Sequence, residues 1–246
     1  MSEEKSTVVV CGYGGIGKAV VKKLITQKKS VIIFGHTKVS KEEELFFSKN
    51  DVLFFIADVT DEKSIVSVVN KLSKVGSISG LVFAATNKIT RKKLLDLTTK
   101  ELQDDFTVTV FGFFTLVKNL LSLLIKNNGA SIVAITSSVL EQNHPPVSMG
   151  GYVTAKAALR LMLRQLAQDL AQHQIRVNAV APSFIRTPLH DDVPVRFDSF
   201  LKEKNIMNRM VSTEDVAMTV CWLLSKETDS ITGATIPVTC GDSMNL

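Results

Sequence analysis

Tyr152 and Lys156 stand four residues apart in GGYVTAK, residues 150–156, so one of the chain's two tyrosines lies one helical turn from an amine. A free phenol has a pKa near ~10 and is a poor acid or base at neutral pH. A neighbouring ammonium favours the phenolate and lowers that value toward the range where general acid–base work is efficient. The pair is therefore a candidate proton-transfer unit. On spacing alone the plainer reading is the stronger one: a packed tyrosine and a solvated lysine on an amphipathic helix, since YxxxK arises often by chance.

A second constellation changes that balance. Residues 11–17 read CGYGGIG, in which Gly12, Gly14 and Gly17 form GxGxxG after an apolar run and at the start of a helical pattern. The first glycine permits a tight turn, the second lets the backbone approach a pyrophosphate, and the third lets the helix pack closely on the strand. Amides at the helix N-terminus then face the phosphates. About 20 residues on, where a carboxylate would grip the ribose of NAD, the chain has FGHTK (34–38) with no Asp or Glu. His36, Thr37 and Lys38 offer donors and positive charge there, which favours NADP over NAD, although His36 also reads as a plain surface residue. Asp58, in ADVTD, is placed to accept a bond from an adenine amino group or, with Thr60 and Asp61, to open the next helix.

These groups need elements to hold them. Near-continuous apolar runs at 7–11, 30–34, 52–57, 80–85, 130–136, 175–181 and 235–239 predict strands buried on both faces, as in a parallel sheet. Helical periodicity lies between them at 15–28, 61–74, 99–127, 152–173 and 213–225, the last with Ser212 or Thr213 as cap and Glu214 and Asp215 in its first turn. The alternation predicts a Rossmann-type doubly wound α/β sheet of about seven strands with helices on both faces. Without a linker or composition shift, 1–246 reads as a single domain. Residues 183–210 are the least regular part and read as a substrate lid with a short helix near 196–205. Phe184, Leu189, Phe197, Phe200 and Met207 within it hint at an apolar substrate. The helices at 108–125 and 152–173 are too apolar for one buried face, which predicts self-association as a homodimer or homotetramer.

Composition narrows the classes. At 246 residues and 45% apolar content the chain can bury a large core, and no apolar run reaches transmembrane length. The start, MSEEKSTVVV, has no signal-peptide pattern. Cys11, Cys221 and Cys240 show no CxxC or metal spacing and read as packed, reduced thiols, so no metal and a cytoplasmic location are expected. The net charge of +5 comes with lysine clusters but no interleaved aromatics or reading helix, which argues against nucleic acid.

Order and company complete the argument. GIG at 15–17, DV at 58–59, SIVAITSS at 131–138, YVTAK at 152–156, IRVNAVAP at 175–182, IRTPL at 185–189 and ITGATIPVTCG at 231–241 together resemble the short-chain dehydrogenase/reductase family over nearly the whole chain. The resemblance implies Tyr152 as proton donor or acceptor and Lys156 as the residue that binds the nicotinamide ribose and tunes Tyr152. It implies a serine at the end of the fifth strand, Ser137 first and Ser138 second, that holds the substrate oxygen. The implied cofactor surface is Gly12, Tyr13, Gly14, Gly15, Ile16 and Gly17 in the loop, with His36, Thr37, Asp58 and Val59 around the adenosine. Ala84, Ala85, Pro182, Ile185 and Thr187 complete it, Thr187 at the carboxamide.

Three positions depart from the family pattern. The glycine loop is one residue shorter; FAAT (83–86) replaces NNAG; and Thr109 stands where the family has a helix asparagine that holds a relay water. The expected function is an NADP-preferring oxidoreductase acting on a small carbonyl or alcohol. The alternatives are a cofactor-binding sensor or scaffold with impaired turnover and, on a related scaffold, a double-bond reductase.

Overall fold

The structure, a computed structural model, describes residues 6–72 and 75–242. Seven parallel strands form one sheet in the order β3-β2-β1-β4-β5-β6-β7. They are β1 (Thr7–Cys11), β2 (Ser30–Gly35), β3 (Val52–Ile56), β4 (Gly80–Phe83), β5 (Ser131–Ile135), β6 (Arg176–Pro182) and β7 (Thr235–Val238). Eight α-helices flank them: α1 (Gly15–Thr26), α2 (Lys41–Lys49), α3 (Glu62–Lys71), α4 (Thr99–Phe106), α5 (Gly112–Lys126), α6 (Gly150–Asp169), α7 (Asp198–Lys204) and α8 (Thr213–Leu224).

The unbroken apolar strands follow from two covered faces. Side chains alternate along a strand, so Val8 and Val10 enter one layer while Val9 and Cys11 enter the other. The first layer lies under α1, α2 and α8; the second lies under α3, α5 and α6. The central strands bear out the expectation of burial on both faces, and the edges correct it. On β3, Leu53 and Ile56 are about half exposed, and β7 is only partly covered, because each has a neighbour on one side alone.

Further differences concern helices. The sequence reading omits α2, which buries only Phe47 and so lacks an apolar stripe; its signature is the capping box between Ser40 and Glu43. Helix 61–74 is observed as Glu62–Lys71, and residues 73–74 lie outside the described residues. The segment predicted as 99–127 is α4 and α5 joined by a π-turn, Thr107–Phe111. Its 28 residues, with a mean hydropathy of 1.9 in the most apolar window, are long and apolar enough to cross a membrane by length and composition. In the fold, Phe113, Leu116, Leu120 and Leu124 pack into the second core layer, the place of a core helix. Of the two caps open for α8, Ser212 is the one used, in a capping box with Asp215.

The strand order reverses between β1 and β4, each of which starts a run toward one edge. In open α/β sheets ligands bind at the carboxyl ends of strands at such a point. The glycine loop after β1 and the FAAT segment after β4 both emerge there.

Candidate active site

Two adjoining cavities open at this edge. The first, about 640 Å³, is lined by the glycine loop, by His36, Thr37 and Lys38 after β2, by Asp58 and Val59 after β3, and by Ala84 and Ala85 after β4. The second, about 450 Å³, is lined by Ser137, Ser138, Tyr152, Lys156 and the segment that follows β6. Ile16, Ala84, Thr86, Thr187 and Leu189 line both.

The glycine loop is shaped by what cannot carry a side chain. Gly12 has φ +96°, and a Cβ there would meet the Ala85 nitrogen at 2.5 Å. A Cβ at Gly17 would overlap the Gly12 carbonyl oxygen, so helix and loop approach at backbone distance. Gly14 is the N-cap of α1 and provides no side-chain cap. Gly15 packs on Thr187, which brings the β6 segment against the start of α1. Tyr13 turns toward the aromatic cluster of Phe47 and Phe54, at ring distances of 5.3 and 6.3 Å, while still lining the cleft. Burial, with Glu43 nearby, raises its phenol to about 12. This cradle at a helix N-terminus fits a dinucleotide pyrophosphate.

At the adenosine end, Asp58 Oδ1 accepts from the Thr60 amide at 2.8 Å and hydroxyl at 2.7 Å. Burial opposes its ionisation, but the Thr60 bonds and His36 hold it below the ordinary carboxylate range. His36 Nδ1 lies 4.0 Å from Asp58 Oδ2, and its side chain is exposed. His36, Thr37 and Lys38 all face solvent and line the first cavity.

In the second cavity, Tyr152 and Lys156 project from the first turns of α6. Lys156 is buried, and its Nζ donates to the Ile135 carbonyl at 2.8 Å. Nζ is 5.7 Å from the Tyr152 ring centroid. Burial lowers the Lys156 ammonium to about 8. The Ser137 hydroxyl, at the end of β5, accepts from the Val139 amide at 3.4 Å and lines the same cavity as Tyr152. Ser138 is also buried, and its Oγ has no hydrogen-bond partner in the structure. Burial pushes the Tyr152 phenol up, Ser137 pulls it back, and Asp105 adds to the rise. This corrects the expectation that the neighbouring ammonium brings the phenol down: here desolvation of the phenolate prevails.

The predicted residues thus converge on two neighbouring cavities. Pro182 and Ile185 line the second with Thr187. Thr109 is buried in the π-turn that packs on α6. Within residues 183–210, Phe184, Leu189, Phe197 and Phe200 line the second cavity; Met207 does not and is exposed, while Met210 takes a place in the wall. The lid helix runs Asp198–Lys204. Arg186 holds the segment from within, donating to the Val193 carbonyl at 2.6 Å and pairing with Asp198.

Sequence reading missed several polar groups. Arg91, in the wall of the second cavity, pairs with Asp192. His190 lines the wall, with Nδ1 3.1 Å from the Ile185 carbonyl oxygen. Asp105 on α4 is a buried carboxyl beside α6. Only a charged residue on the inner face of a helix would have marked Asp105; Arg91 and His190 lie in irregular segments without a pattern.

Comparison with known proteins agrees with this geometry. Residues 12–243 match a family model described as Enoyl-(Acyl carrier protein) reductase. The 3-oxoacyl-(acyl-carrier-protein) reductase FabG of Thermotoga maritima is 32% identical, over 97% of this chain and 98% of its own. A short-chain type dehydrogenase/reductase from Mycobacterium ulcerans has a TM-score of 0.87 at 25% identity, covering 98% of this chain and 91% of that one. ElxO with NADP bound has a TM-score of 0.86 at 25% identity, covering 97% and 99%.

Proposed function

The chain belongs to the short-chain dehydrogenase/reductase family of NAD(P)-dependent oxidoreductases, and on that premise we propose that it reduces the carbonyl of a small, largely apolar substrate with NADPH. The observation that carries this reading is the placement of Tyr152, Ser137 and Lys156 together in the wall of one cavity adjoining the glycine cleft, with the Lys156 Nζ 5.7 Å from the Tyr152 ring.

Gly12 to Gly17 would hold the pyrophosphate, and Asp58 and Val59 the adenine. His36, Thr37 and Lys38 would take the additional phosphate of NADP: none is acidic, so nothing in that segment repels it. Lys156 would hold the nicotinamide ribose, with Ala84, Ala85, Pro182, Ile185 and Thr187 around the ring end. The bound cofactor supplies the hydride. Ser137 orients the carbonyl oxygen and donates a hydrogen bond as negative charge develops on it. Tyr152 delivers the proton to that oxygen. Lys156, an ammonium with a value of about 8, is a source of positive charge behind the phenol. The lid segment excludes water from the apolar chamber. The assembled Ser137, Tyr152 and Lys156 weigh against a sensor without turnover.

The test is oxidation of NADPH and NADH with a panel of ketones, aldehydes, 3-oxoacyl thioesters and enoyl thioesters. Turnover on a carbonyl compound, with NADPH preferred and activity abolished in Tyr152→Phe, is the expected result. Consumption of enoyl thioesters alone would replace the carbonyl reading with double-bond reduction. Cofactor binding without turnover across the panel would restore the sensor.

A further inference from the structure

The imidazole of His190 lines the chamber beside Tyr152, has a fixed hydrogen-bonding sense, and takes no part in the proposed reduction. Its Nδ1 lies 3.1 Å from the Ile185 carbonyl oxygen. A carbonyl oxygen can only accept, so this contact places the ring proton on Nδ1 and leaves a lone pair on Nε2. Burial, and then the Arg91 charge, hold the imidazolium below its ordinary range, so the ring is neutral at neutral pH and Nε2 stays an acceptor. The Phe184 ring packs on the imidazole at a centroid distance of 4.6 Å. The His190 amide donates to the Thr187 carbonyl at 2.8 Å, in the turn Pro188–His190. Ring and backbone are thus both held in place. No hydrogen bond or ion pair engages Nε2 among the described residues.

The place of His190 in the chamber says where such an acceptor would act. Thr187 borders both cavities, whereas His190, one tight turn further on, lines only the second. Three residues of a 3-10 turn advance about 6 Å, so the acceptor sits close to the junction where a reacting carbon must meet the cofactor. The chamber's cations are already committed: Arg91 is paired with Asp192, Lys204 with Asp242 at 2.6 Å, and Lys156 donates to the Ile135 carbonyl. An anionic substrate group would find no free cation there among the described residues, and a carboxylate has no proton to offer Nε2. We propose that His190 is a specificity-determining residue that accepts a hydrogen bond from a substrate hydroxyl, and that the substrate is a neutral α-hydroxy ketone. This rests on the reading of the protein as a carbonyl reductase and names the substrate class within it. The carbonyl carbon takes the hydride of NADPH and its oxygen takes the Tyr152 proton, giving a vicinal diol and oxidised NADP. The hydroxyl held by His190 is unchanged. A ketone without that hydroxyl leaves a desolvated lone pair unpaired, which is how a site built for a hydroxyl rejects the analogue lacking it.

Matched ketones test this through NADPH oxidation. One set is hydroxyacetone, methoxyacetone and butanone; a bulkier, more apolar set is phenacyl alcohol, its methyl ether and propiophenone. The ether keeps the oxygen and its pull on the carbonyl but has no proton to donate. In at least one set the wild-type protein is expected to favour the hydroxy ketone over the ether by about tenfold or more in kcat/KM. His190→Leu is expected to bring that ratio to about one, mainly through a higher KM for the hydroxy ketone. His190→Gln, which still carries an acceptor, should keep part of the preference. Because the ratio is taken within one protein, a general loss of folding or of cofactor binding cancels from it. Turnover of ketones with no preference for the hydroxyl in either set, or a preference that survives in His190→Leu, would overturn this inference and leave the carbonyl reading standing. Absence of turnover on every carbonyl compound tested would remove that reading, and this inference with it.

Discussion

Tyr152 is placed between competing influences, and the outcome depends on burial. The enclosure that gives Ser137 and Lys156 their strength also disfavours the phenolate. The two serines differ in bonding: Ser137 accepts from the Val139 amide, whereas the buried Ser138 Oγ has no hydrogen-bond partner, and both line the cavity with Tyr152. Ser137→Ala is expected to lower kcat by about 100-fold or more, as loss of an oxyanion donor does. Ser138→Ala is expected to stay within about threefold, both read as initial rates on whichever carbonyl compound the panel identifies. Lys156 exposes a trade between stability and function. Its folded-state value of about 8 lies below the ordinary 10.5, so the unfolded chain binds the extra proton between those values. The penalty is complete below pH 8 and fades as pH rises toward 10.5. It corresponds to about 3 kcal/mol, offset by about 1 kcal/mol for the bond to the Ile135 carbonyl. Lys156→Met should therefore stabilise the cofactor-free protein by about 2 kcal/mol in neutral denaturant titrations and lose that advantage in alkali. The same variant should fail to bind NADP productively.

At the scale of elements, two joints decide whether the residues meet. One is the β1–α1 turn. Gly17→Ala forces a methyl into the Gly12 carbonyl oxygen and must push the helix from the strand. NADPH binding, followed by its fluorescence, is expected to weaken at least tenfold, while the far-UV circular dichroism of the sheet persists. The other joint is the clasp between Arg91, on the segment after β4, and Asp192 in the lid. Both side chains are about one-third exposed, so the pair adds at most about 1 kcal/mol to global stability. Asp192→Asn should leave the unfolding midpoint nearly unchanged but speed proteolytic cleavage within residues 183–210. Unaltered cleavage would mean that the lid is held by Arg186 and Asp198 without the clasp. The π-turn at Thr107–Phe111 packs on α6, and π-turns cluster at functional sites.

At the scale of the whole molecule, the second core layer leaves an uncovered flank. Phe111 is 60% exposed and Phe114 47% on the π-turn and α5, and Leu161 is 59% exposed on α6. These are the two segments whose excess apolar character predicts self-association, and we propose that a second copy of the chain covers them. Phe114→Lys is expected to shift sedimentation velocity toward the monomer without changing the far-UV spectrum. A wild-type protein already monomeric at micromolar concentration would remove the proposal. The exposed Leu161 lies on the same helix as Tyr152 and Lys156, so assembly at this face would stiffen the helix that holds them.

Periodicity and local chemistry made much of this protein legible in one dimension. Seven apolar runs with helices between them specify strands covered on both faces, because alternate side chains must all find cover. GxGxxG specifies a cofactor loop because no side chain fits at Gly12 or Gly17, and YxxxK specifies two groups on one helix face because of the helical repeat. What local pattern does not record is which uncoded surfaces meet. The short helix α2, the inward turn of Asp105 against Gly151, the choice between Ser137 and Ser138, and the clasp of Arg91 on Asp192 depend on distant segments packing together. So does the strength of the phenol: its acidity is set by desolvation and by charges from other elements, and only the tertiary structure brings those within range.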